Sequence, residues 1–301
     1  MKKYLSEGAL LLNTIIWGAT FALIKTALND ISPMMFISFR FTLAALLLLP
    51  IYKSVLKVLN KQLLIQGVFL GLLYFLGFAS QTIGLKYTTA TKSGFITGTF
   101  VVFTPIFQVF IEKRMPGKGS LIAIVLVIAG LVLLSSKGES LLDVFNEIGT
   151  NFNIGDFLTL ICAIFFALYL VYLDIISKQH PYMPLVFLQI AVTAIGGILM
   201  AGIFSTTGIE EPFYVLNFNV VFAIIYTALL ATVLTTILQT KYQKFVTPTK
   251  AGIIFSLEPI FAAVLAYMLL TEQISNFGFI GCILIFTGLL ASELIDKNKK
   301  M

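Results

Sequence analysis

The sequence predicts an all-α polytopic membrane protein, with ten transmembrane helices in two inverted five-helix repeats. The first indication is composition, since 58% of the 301 residues are hydrophobic and 11% are charged, whereas a soluble domain has about 25% charged residues. The second is a series of long apolar segments. The third is an internal similarity between the two halves of the chain.

The apolar segments are mostly about as long as the roughly 20 residues that a helix needs to cross a bilayer. Short polar links separate most of them, whereas residues 137–153 and 205–217 form longer connections. No linker rich in Pro or Ser divides the chain into soluble domains. The ten predicted transmembrane segments are residues 8–28, 33–51, 63–85, 91–111, 119–136, 154–176, 182–204, 218–240, 249–270 and 275–295.

Two stretches that lead into apolar segments resemble each other at a fixed separation. Residues 81–94 read QTIGLKYTTATKSG, and residues 239–252 read QTKYQKFVTPTKAG, so that matching positions lie 158 residues apart. The fifth and tenth segments match at the same separation, over residues 123–135 and 281–293. Within the first two stretches, three clusters agree at this one separation, which indicates a duplicated chain. They are Gln81-Thr82, Lys86-Tyr87 and residues 91–94, with their counterparts in 239–252.

A weaker match pairs the first segment with the sixth. Trp17 and the two residues after it correspond to Phe166 and its successors, 149 residues later. Five spans in each half is an odd number, so the second half would start from the opposite side of the membrane, and the repeat is predicted to be inverted. The predicted domains are residues 1–137 and residues 138–301.

Lys and Arg residues are distributed unequally between the predicted links. With a cytoplasmic N-terminus, 15 of the 20 fall on the cytoplasmic side and 3 on the other side, while Lys25 and Arg40 lie within helices. Cytoplasmic loops of membrane proteins carry such an excess. We therefore expect a multi-pass protein of the cytoplasmic membrane with both termini in the cytoplasm, and we attribute the net charge of +6 to topology.

The most informative stretch is residues 249–272, an apolar run in which Glu258 is followed by Pro259. Proline lacks an N–H and clashes with the carbonyl one turn back, so it should kink the helix. A carboxylate deep in a membrane helix has to face protein or water. Glu258 is therefore either a cavity carboxylate, which binds a substrate ammonium group or a coupling proton, or a structural acceptor paired with Lys25, Arg40 or freed backbone donors.

The fourth segment carries a proline at a comparable place. Pro105 would correspond to position 263, so the second-half proline is displaced by four residues, about one turn. We therefore expect paired kinks that have moved relative to each other, with small residues beside them for close packing. The predicted gating residues are Pro105, Pro259, Gly94, Gly98 and Gly252.

The chain resembles the drug/metabolite transporter superfamily, and specifically its EamA-domain members. The similarity is carried by WGATF at 17–21, SPMMFISFRF at 32–41, TPIF at 104–107 and SLEPIFAAVLAYMLLTE at 256–272. The resemblance implies ten helices in two inverted repeats and a central cavity lined by segments one to four and six to nine. It also implies a secondary active transporter that works by alternating access and moves a small metabolite, with export of an amino acid or a related amphipathic compound as the leading expectation.

Polar and aromatic side chains recur on single faces of several predicted helices. Such a face is costly against lipid, so it should border water or polar protein. Lining of a cavity and packing between helices are the two interpretations. The predicted substrate-binding residues are Asn13, Thr14, Trp17, Tyr74, Phe78, Gln81, Tyr169, Thr232, Thr235, Gln239 and Glu258.

Two other functions stay open at this point. One is a multidrug or toxic-compound efflux carrier, in which Glu258 would meet a cationic drug. The other, less favoured, is a membrane-embedded enzyme or a lipid-carrier partner, because His180 is the only histidine and no acid–base cluster, metal motif or Walker A motif is present. We expect no enzyme activity, catalytic residue, metal, cofactor or nucleic-acid partner. The expected partners are a small-molecule substrate, the lipid bilayer and a coupling proton, and no pattern specifies an oligomeric state.

Overall fold

A computed structural model of the chain describes residues 2–135, 152–273 and 275–297. The predicted boundary between residues 137 and 138, and nearly all of the connection 137–153, lie outside the described residues. Within the described ranges the chain is helical apart from turns, loops and one isolated β-bridge. The helices are α1 (Lys2–Ala27), α2 (Pro33–Leu47), α3 (Tyr52–Val58), α4 (Lys61–Tyr87), α5 (Ala90–Gly98), α6 (Phe100–Glu112), α7 (Lys118–Ser135), α8 (Ile154–Ser177), α9 (Tyr182–Thr207), α10 (Phe218–Ala228), α11 (Thr235–Tyr242), α12 (Pro248–Phe255), α13 (Glu258–Leu270) and α14 (Asn276–Lys297).

Most of the predicted apolar segments form helices long enough to cross a membrane. The helix α2 and the short helices after it pass the same test only as a pair bent by 43°, while α7 and α14 contain shorter apolar helices. Every predicted segment is therefore helical and the chain is a multi-pass membrane protein, whereas the count of ten spans stays a prediction. Among the described residues, the seven helical stretches of sufficient length and apolarity are Tyr4–Ala27, Lys61–Tyr87, Ala90–Glu112, Ile154–Ser177, Tyr182–Thr207, Phe218–Phe245 and Pro248–Leu270.

Two of these stretches are interrupted. The first breaks at Thr99, between α5 and α6, and the second breaks at residues 256–257, between α12 and α13. At each break the backbone N–H bonds three residues back, from Thr99 to Ile96 at 3.1 Å and from Leu257 to Ile254 at 3.3 Å. The regular α-helical hydrogen bonds, which run four residues back, are lost there. Thr99 and Leu257 have the same separation in the chain as the matching stretches 81–94 and 239–252, so the breaks are equivalent in the two halves.

One break follows its proline and the other does not. The break at residues 256–257 directly precedes Pro259, as predicted, since a proline disrupts the turn before it. Pro105 lies inside α6, six residues beyond the break at Thr99, so the expected displacement of the kinks is not found. Hydroxyl groups also act at both breaks, since Thr99 Oγ1 donates to the carbonyl of residue 96 at 2.6 Å and Ser256 Oγ to that of residue 253 at 2.6 Å. Such bonds compete with the helical pattern.

The second halves of the interrupted helices correspond end to end. Both α6 and α13 contain 13 residues, and their first residues, Phe100 and Glu258, are equivalent positions of the repeat. Each helix ends at a residue in the left-handed conformation, Lys113 with φ 55° and Thr271 with φ 56°. A left-handed residue at this position is a common way to end a helix. The separation between the matching stretches 81–94 and 239–252 therefore also relates the ends of α6 and α13.

The two interrupted helices pack crosswise, α5 on α13 and α6 on α12. The side-chain oxygen of Gln108 accepts a hydrogen bond from the backbone N–H of Thr249 at 3.0 Å. At the other end, the carboxylate of Glu272 accepts from the N–H groups of Ala90 and Thr91, both at 3.1 Å. Each interrupted helix therefore satisfies free N–H groups at the start of the other.

Helix α1 packs most extensively against α13 and also contacts α10, α11 and α12. Its contact with α13 is close at Gly18, because a Cβ atom there would lie 3.1 Å from the carbonyl oxygen of Glu258. Small residues allow such close approach of helices in membranes. Helices α7 and α14 pack mainly against each other, outside the elements that surround α1.

Candidate functional site

A small cavity of about 40 Å³ lies between α1, α4, α6, α8, α11, α12 and α13. In this conformation its free space suffices for a few water molecules. Aromatic rings form most of its wall, and its polar groups are one hydroxyl, two amides, two phenols, an indole and one carboxylate. The lining residues are Trp17, Thr20, Tyr74, Phe78, Gln81, Phe100, Phe166, Tyr169, Leu170, Gln239, Phe255 and Glu258.

The structure brings most of the predicted substrate-binding residues to this one cavity. They come from α1, α4, α8, α11 and α13, which are distant in sequence. Their meeting in one cavity is therefore not explained by neighbouring positions in a single helix. Glu258 lies at the very start of α13, next to the break in its span. The predicted residues that line the cavity are Trp17, Tyr74, Phe78, Gln81, Tyr169, Gln239 and Glu258.

The other four predicted residues are buried but lie outside the lining, where their polar groups bond to other protein groups. Asn13 donates from Nδ2 to the carbonyl oxygen of Thr235 at 2.9 Å. Thr14 donates to a carbonyl one turn earlier in its own helix. The hydroxyl of Thr232 accepts from Nε of Arg40 at 2.9 Å. For these four residues the packing interpretation of the polar faces agrees better with the contacts.

Glu258 is buried, with 7% of its surface exposed. Within the described part of the chain, its carboxylate forms neither a hydrogen bond nor an ion pair. The ammonium group of Lys25 donates instead to the carbonyl oxygens of Leu85 at 2.9 Å and Lys86 at 3.1 Å. Arg40 is also engaged elsewhere, so the structural pairing of Glu258 with either cation is not formed. The carboxylate is therefore available to a solute or a proton.

Arg40 secures a turn of π-helix at residues 229–234, between α10 and α11. The carbonyl oxygen of Ala231 accepts from Nη2 of Arg40 and from the indole Nε1 of Trp17, both at 3.1 Å. The guanidinium carbon of Arg40 also lies 4.6 Å from the ring centroid of Phe78. Since π-helical turns leave carbonyls outside the regular α pattern, this carbonyl can bind two side chains that fix the cavity wall.

The aromatic wall is a connected cluster of rings. Tyr74 lies 4.6 Å from Phe78 and 5.0 Å from Tyr169, measured between ring centroids, and Phe78 lies 5.1 Å from Phe166. Most of these pairs are edge to face, which is a favoured arrangement. The phenol oxygen of Tyr74 is bonded to Thr236 Oγ1 at 2.9 Å. Ring surfaces of this kind bind apolar groups and organic cations.

The two amides of the lining are held by neighbouring polar side chains. Gln81 Nε2 donates to Thr97 Oγ1 at 3.3 Å, and Gln239 Nε2 donates to Gln243 Oε1 at 2.9 Å. The amide oxygen of Gln239 is buried and has no hydrogen-bond partner among the described residues. A buried acceptor without a partner is costly. The cavity thus offers unpaired acceptors to a solute that carries N–H or O–H donors.

The lining residues form pairs at the two separations found in the sequence. Eight of the twelve belong to such pairs, with the shorter separation relating α1 to α8 and the longer one relating the later helices. The cavity therefore lies between corresponding parts of the two halves. The pairs are Trp17 with Phe166, Thr20 with Tyr169, Gln81 with Gln239, and Phe100 with Glu258.

Five lining residues were not predicted from the sequence: Thr20, Phe100, Phe166, Leu170 and Phe255. Four are apolar, and an apolar residue in a membrane helix carries no signal that separates a cavity from lipid. The repeat could have identified three of the five, because each corresponds to a predicted residue in the other half. Leu170 and Phe255 had no such signal.

The predicted gating glycines lie where the interrupted helices cross. A Cβ atom at Gly98 would lie 2.9 Å from Cγ of Pro259, and one at Gly94 would lie 3.0 Å from Cβ of Ala262. Gly252 has more room, since the nearest atom would be 3.6 Å away. Gly94 and Gly98 therefore set the distance between α5 and α13, whereas Gly252 does not limit the contact of α12 with α6.

The cavity lining contributes a single carboxylate and neither His nor Cys. Over the ranges that the structure describes, no group of three or more His, Cys, Asp or Glu side chains could hold a metal ion.

Comparisons with known proteins indicate a transporter family. The sequence model of the EamA-like transporter family matches residues 5–136 and 153–293. An uncharacterized transporter of Archaeoglobus fulgidus is 32% identical over 294 residues, which cover 98% of this chain and 87% of the relative. The uncharacterized transporter YcxC of Bacillus subtilis is 24% identical and covers 97% and 94%. A solved crystal structure is similar in fold, with a TM-score of 0.74, 16% identity and coverage of 97% of this chain and 98% of that one.

Proposed function

Because the chain belongs to the EamA-like transporter family, we propose that it is a secondary active transporter. It moves a small metabolite across the cytoplasmic membrane by alternating access. The observation that carries the proposal is the cavity beside the two helix breaks, which holds one buried carboxylate without a partner in the described part of the chain. Interrupted membrane helices are tolerated where they line a cavity, and transporters use them to bind solutes.

The proposed substrate is an amino acid or a related amphipathic compound, and the proposed direction is export. The carboxylate of Glu258 and the free amide oxygen of Gln239 would accept hydrogen bonds from a substrate ammonium group. The amide nitrogen of Gln81 has a second hydrogen for a carboxylate, and the aromatic wall suits an apolar side chain. A phosphate-rich substrate would require cations, and the cavity lining contains none.

A proton is the proposed coupling partner. Glu258 is the only carboxylate in the lining, and it has no other ion to neutralise it within the described residues. Intramembrane carboxylates of this kind form the proton relays of many transporters. Proton and substrate would then compete for one group, so that binding of one releases the other.

The proposed architecture has ten spans in two inverted repeats, residues 1–137 and 138–301, with both termini in the cytoplasm. The equivalent helix breaks and the paired lining residues support the duplication. The distribution of Lys and Arg supports the orientation. Alternating access would come from movement of the crossed pair formed by α5, α6, α12 and α13 around the cavity.

A second candidate function is efflux of organic cations, including drugs. One observation favours it, namely the combination of an unpaired carboxylate with aromatic rings on several sides of the cavity. Rings attract cations through their faces, most strongly where water is excluded. The proposal includes no enzymatic step, and the membrane-enzyme and lipid-carrier alternatives are distinguished by the same experiment.

The test begins with purified protein and a thermal-shift screen of amino acids and organic cations. A ligand that binds only the folded protein raises its Tm. Stabilising ligands are then tested for counterflow in proteoliposomes, with protein-free liposomes as control. We expect saturable exchange of unaltered solute. Chemical alteration of the solute would indicate an enzyme, and binding without exchange would contradict transport.

A further inference from the structure

Two lysines occupy the first turns of the interrupted helices. Lys92 and Lys250 are each the third residue of their helix, and their backbone N–H groups bond to the capping hydroxyls of Thr89 at 3.1 Å and Thr247 at 3.4 Å. The N-terminus of a helix is the unfavourable end for a cation, because the helix dipole is positive there. The helix dipole therefore does not favour a lysine at either position. The ion-pair partners of the two lysines are a better guide to their role.

Each lysine forms an ion pair with the start of another helix. Lys92 Nζ lies 2.6 Å from Asp156 Oδ2 at the start of α8, and Lys250 Nζ lies 2.7 Å from Glu7 Oε1 near the start of α1. The two lysines are equivalent positions of the repeat at the longer separation, and the two acids are equivalent at the shorter one. These separations also relate the cavity-lining pairs, so the two ion pairs correspond to each other in the two halves.

The ion pairs lie at opposite ends of the bundle. At the far end of α1, Lys25 contacts the carbonyl of Leu85, and three residues later Thr88 donates to Asp156 at 2.7 Å. Asp156 therefore lies at the Lys25 end of α1. Glu7 is 18 residues before Lys25 in the same helix, which is about 27 Å along its axis.

The cavity lies between the two pairs. Trp17 follows Glu7 by ten residues in α1, and Phe166 follows Asp156 by ten residues in α8, and both Trp17 and Phe166 line the cavity. Ten residues of helix extend about 15 Å. A solute in the cavity would therefore have one ion pair at a similar distance on each side.

We propose that the pairs Lys92–Asp156 and Lys250–Glu7 are the two gates of the transport cycle, which open in turn. This inference rests on the proposed alternating access. Each pair ties a first half-helix, α5 or α12, to the start of α8 or α1, so the end of the cavity opens when the pair separates. The Lys92 side chain is 27% accessible and Asp156 0%, while the Lys250 side chain is 17% accessible and Glu7 18%. Each lysine can therefore reach water when its pair separates, while Asp156 keeps its hydrogen bonds from Thr88 and from the backbone of Asn153.

Both pairs are formed at once in this structure, which corresponds to a cavity closed at both ends. Removing one pair should shift the population toward the state that is open at that end, since the other states keep the interaction. The two lysines are better targets than the acids. Asp156 also accepts hydrogen bonds from Thr88 and from the backbone of Asn153, where it caps α8.

The experiment measures access to the cavity from each side of the membrane. Thr20→Cys places a reporter in the lining, in a background that carries Cys162→Ala and Cys282→Ala. A membrane-impermeant maleimide is applied to right-side-out and to inverted vesicles, and the ratio of the two labelling rates is recorded. We expect Lys92→Gln and Lys250→Gln to change this ratio in opposite directions, each by about three- to tenfold.

Matched variants separate a gate from a general loss of charge. Lys57→Gln removes the charge of an exposed lysine in α3 that belongs to neither pair, so it should leave the ratio unchanged. Lys92→Arg and Lys250→Arg keep the charge and should keep the ratio. The double variant Lys250→Glu with Glu7→Lys exchanges the two charges of the pair. It should restore the wild-type ratio of labelling rates, which Lys250→Gln changes.

Three results would overturn the gates: shifts in the same direction, no shift in either variant, or an equal shift in Lys57→Gln. If Lys250→Gln does not fold, Glu7→Gln breaks the same pair and takes its place. If Lys92→Gln does not fold, Lys92→Met takes its place. Opposite shifts without counterflow of any tested solute would support the gates and contradict the proposed substrates. Failure of the gates and failure of the proposed function are therefore distinguishable.

Discussion

Phe100 and Glu258 occupy the same place in the two interrupted helices, since each is the first residue of the second half and each lines the cavity. The halves therefore present a ring and a carboxylate at corresponding points of one cavity. Charge recognition falls to the second half alone, because Phe100 cannot pair with an ion in the way that a carboxylate can. The backbone of the two halves is similar at this point, whereas their chemistry is different.

Replacement of this carboxylate tests its proposed role. Glu258→Gln keeps the size of the side chain but removes its charge. Transport should fall about tenfold or more, as expected for loss of a charge-assisted hydrogen bond, and its pH dependence should disappear. The Tm should change little, because no partner is left unpaired. Glu211→Gln, in an exposed loop, is the control. Wild-type flux of a stable Glu258→Gln protein at every pH would remove Glu258 from the site.

Glycines at the helix crossing provide a second prediction. Gly98→Ala should press against the ring of Pro259 and destabilise the protein by about 1–3 kcal/mol, as overpacking does. Gly252→Ala should be tolerated, since its Cβ has only ordinary contacts at 3.6 Å or more. Thermal unfolding and counterflow of both variants check the difference. Equal behaviour of the two alanines would contradict the assigned crossing distance.

The shared carbonyl of Ala231 predicts coupling between two distant side chains. Trp17→Phe and Arg40→Met each remove one of its two side-chain donors. Each single variant leaves the carbonyl with one side-chain donor, whereas the double variant removes both, and loss of the partners of a buried polar group costs about 1–3 kcal/mol. The loss of stability in the double variant should therefore exceed the sum of the single losses. If the loss of stability in the double variant equals the sum of the two single losses, the two hydrogen bonds are independent.

Topology can be examined with single cysteines in the cysteine-free background. Glu211→Cys should react with an impermeant maleimide from outside the cell, and Lys57→Cys only after the cytoplasmic face is exposed. Both positions are accessible in the structure. The expectation follows from the distribution of Lys and Arg. Labelling of both positions from the same side would contradict the proposed orientation.

The sequence predicted helix positions well because segment length and apolarity are set by the bilayer. It predicted the break before Pro259, but not the break at Thr99, which lies six residues before Pro105. Thr99 and Ser256 each bond back to a carbonyl of the preceding turn. A hydroxyl in a membrane helix has several possible partners, so only the folded neighbours decide which one it takes.

The sequence predicted only part of the site, again because the partners of polar side chains are decided by the fold. Helical spacing placed Thr232, Thr235 and Gln239 on one face, but it could not separate residues that bond to neighbouring helices from those left open to a cavity. Only Gln239 of the three lines the cavity. Phe100 was missed because an apolar residue in an apolar helix is ordinary, although its correspondence with Glu258 was available from the repeat.

The π-helical turn at residues 229–234 has a consequence for chain length. The capping asparagines Asn60 and Asn217 begin two corresponding spans, which contain 27 and 28 residues. Gln81 is therefore one position closer to its asparagine than Gln239 is to its own. The wide turn absorbs this one-residue insertion, so both glutamines reach the cavity in the same register. Deletion of one residue within this turn should leave Gln239 at the cavity, whereas deletion elsewhere in the helix would rotate it away. The deletion should only remove the carbonyl of Ala231 from its two donors, Trp17 and Arg40.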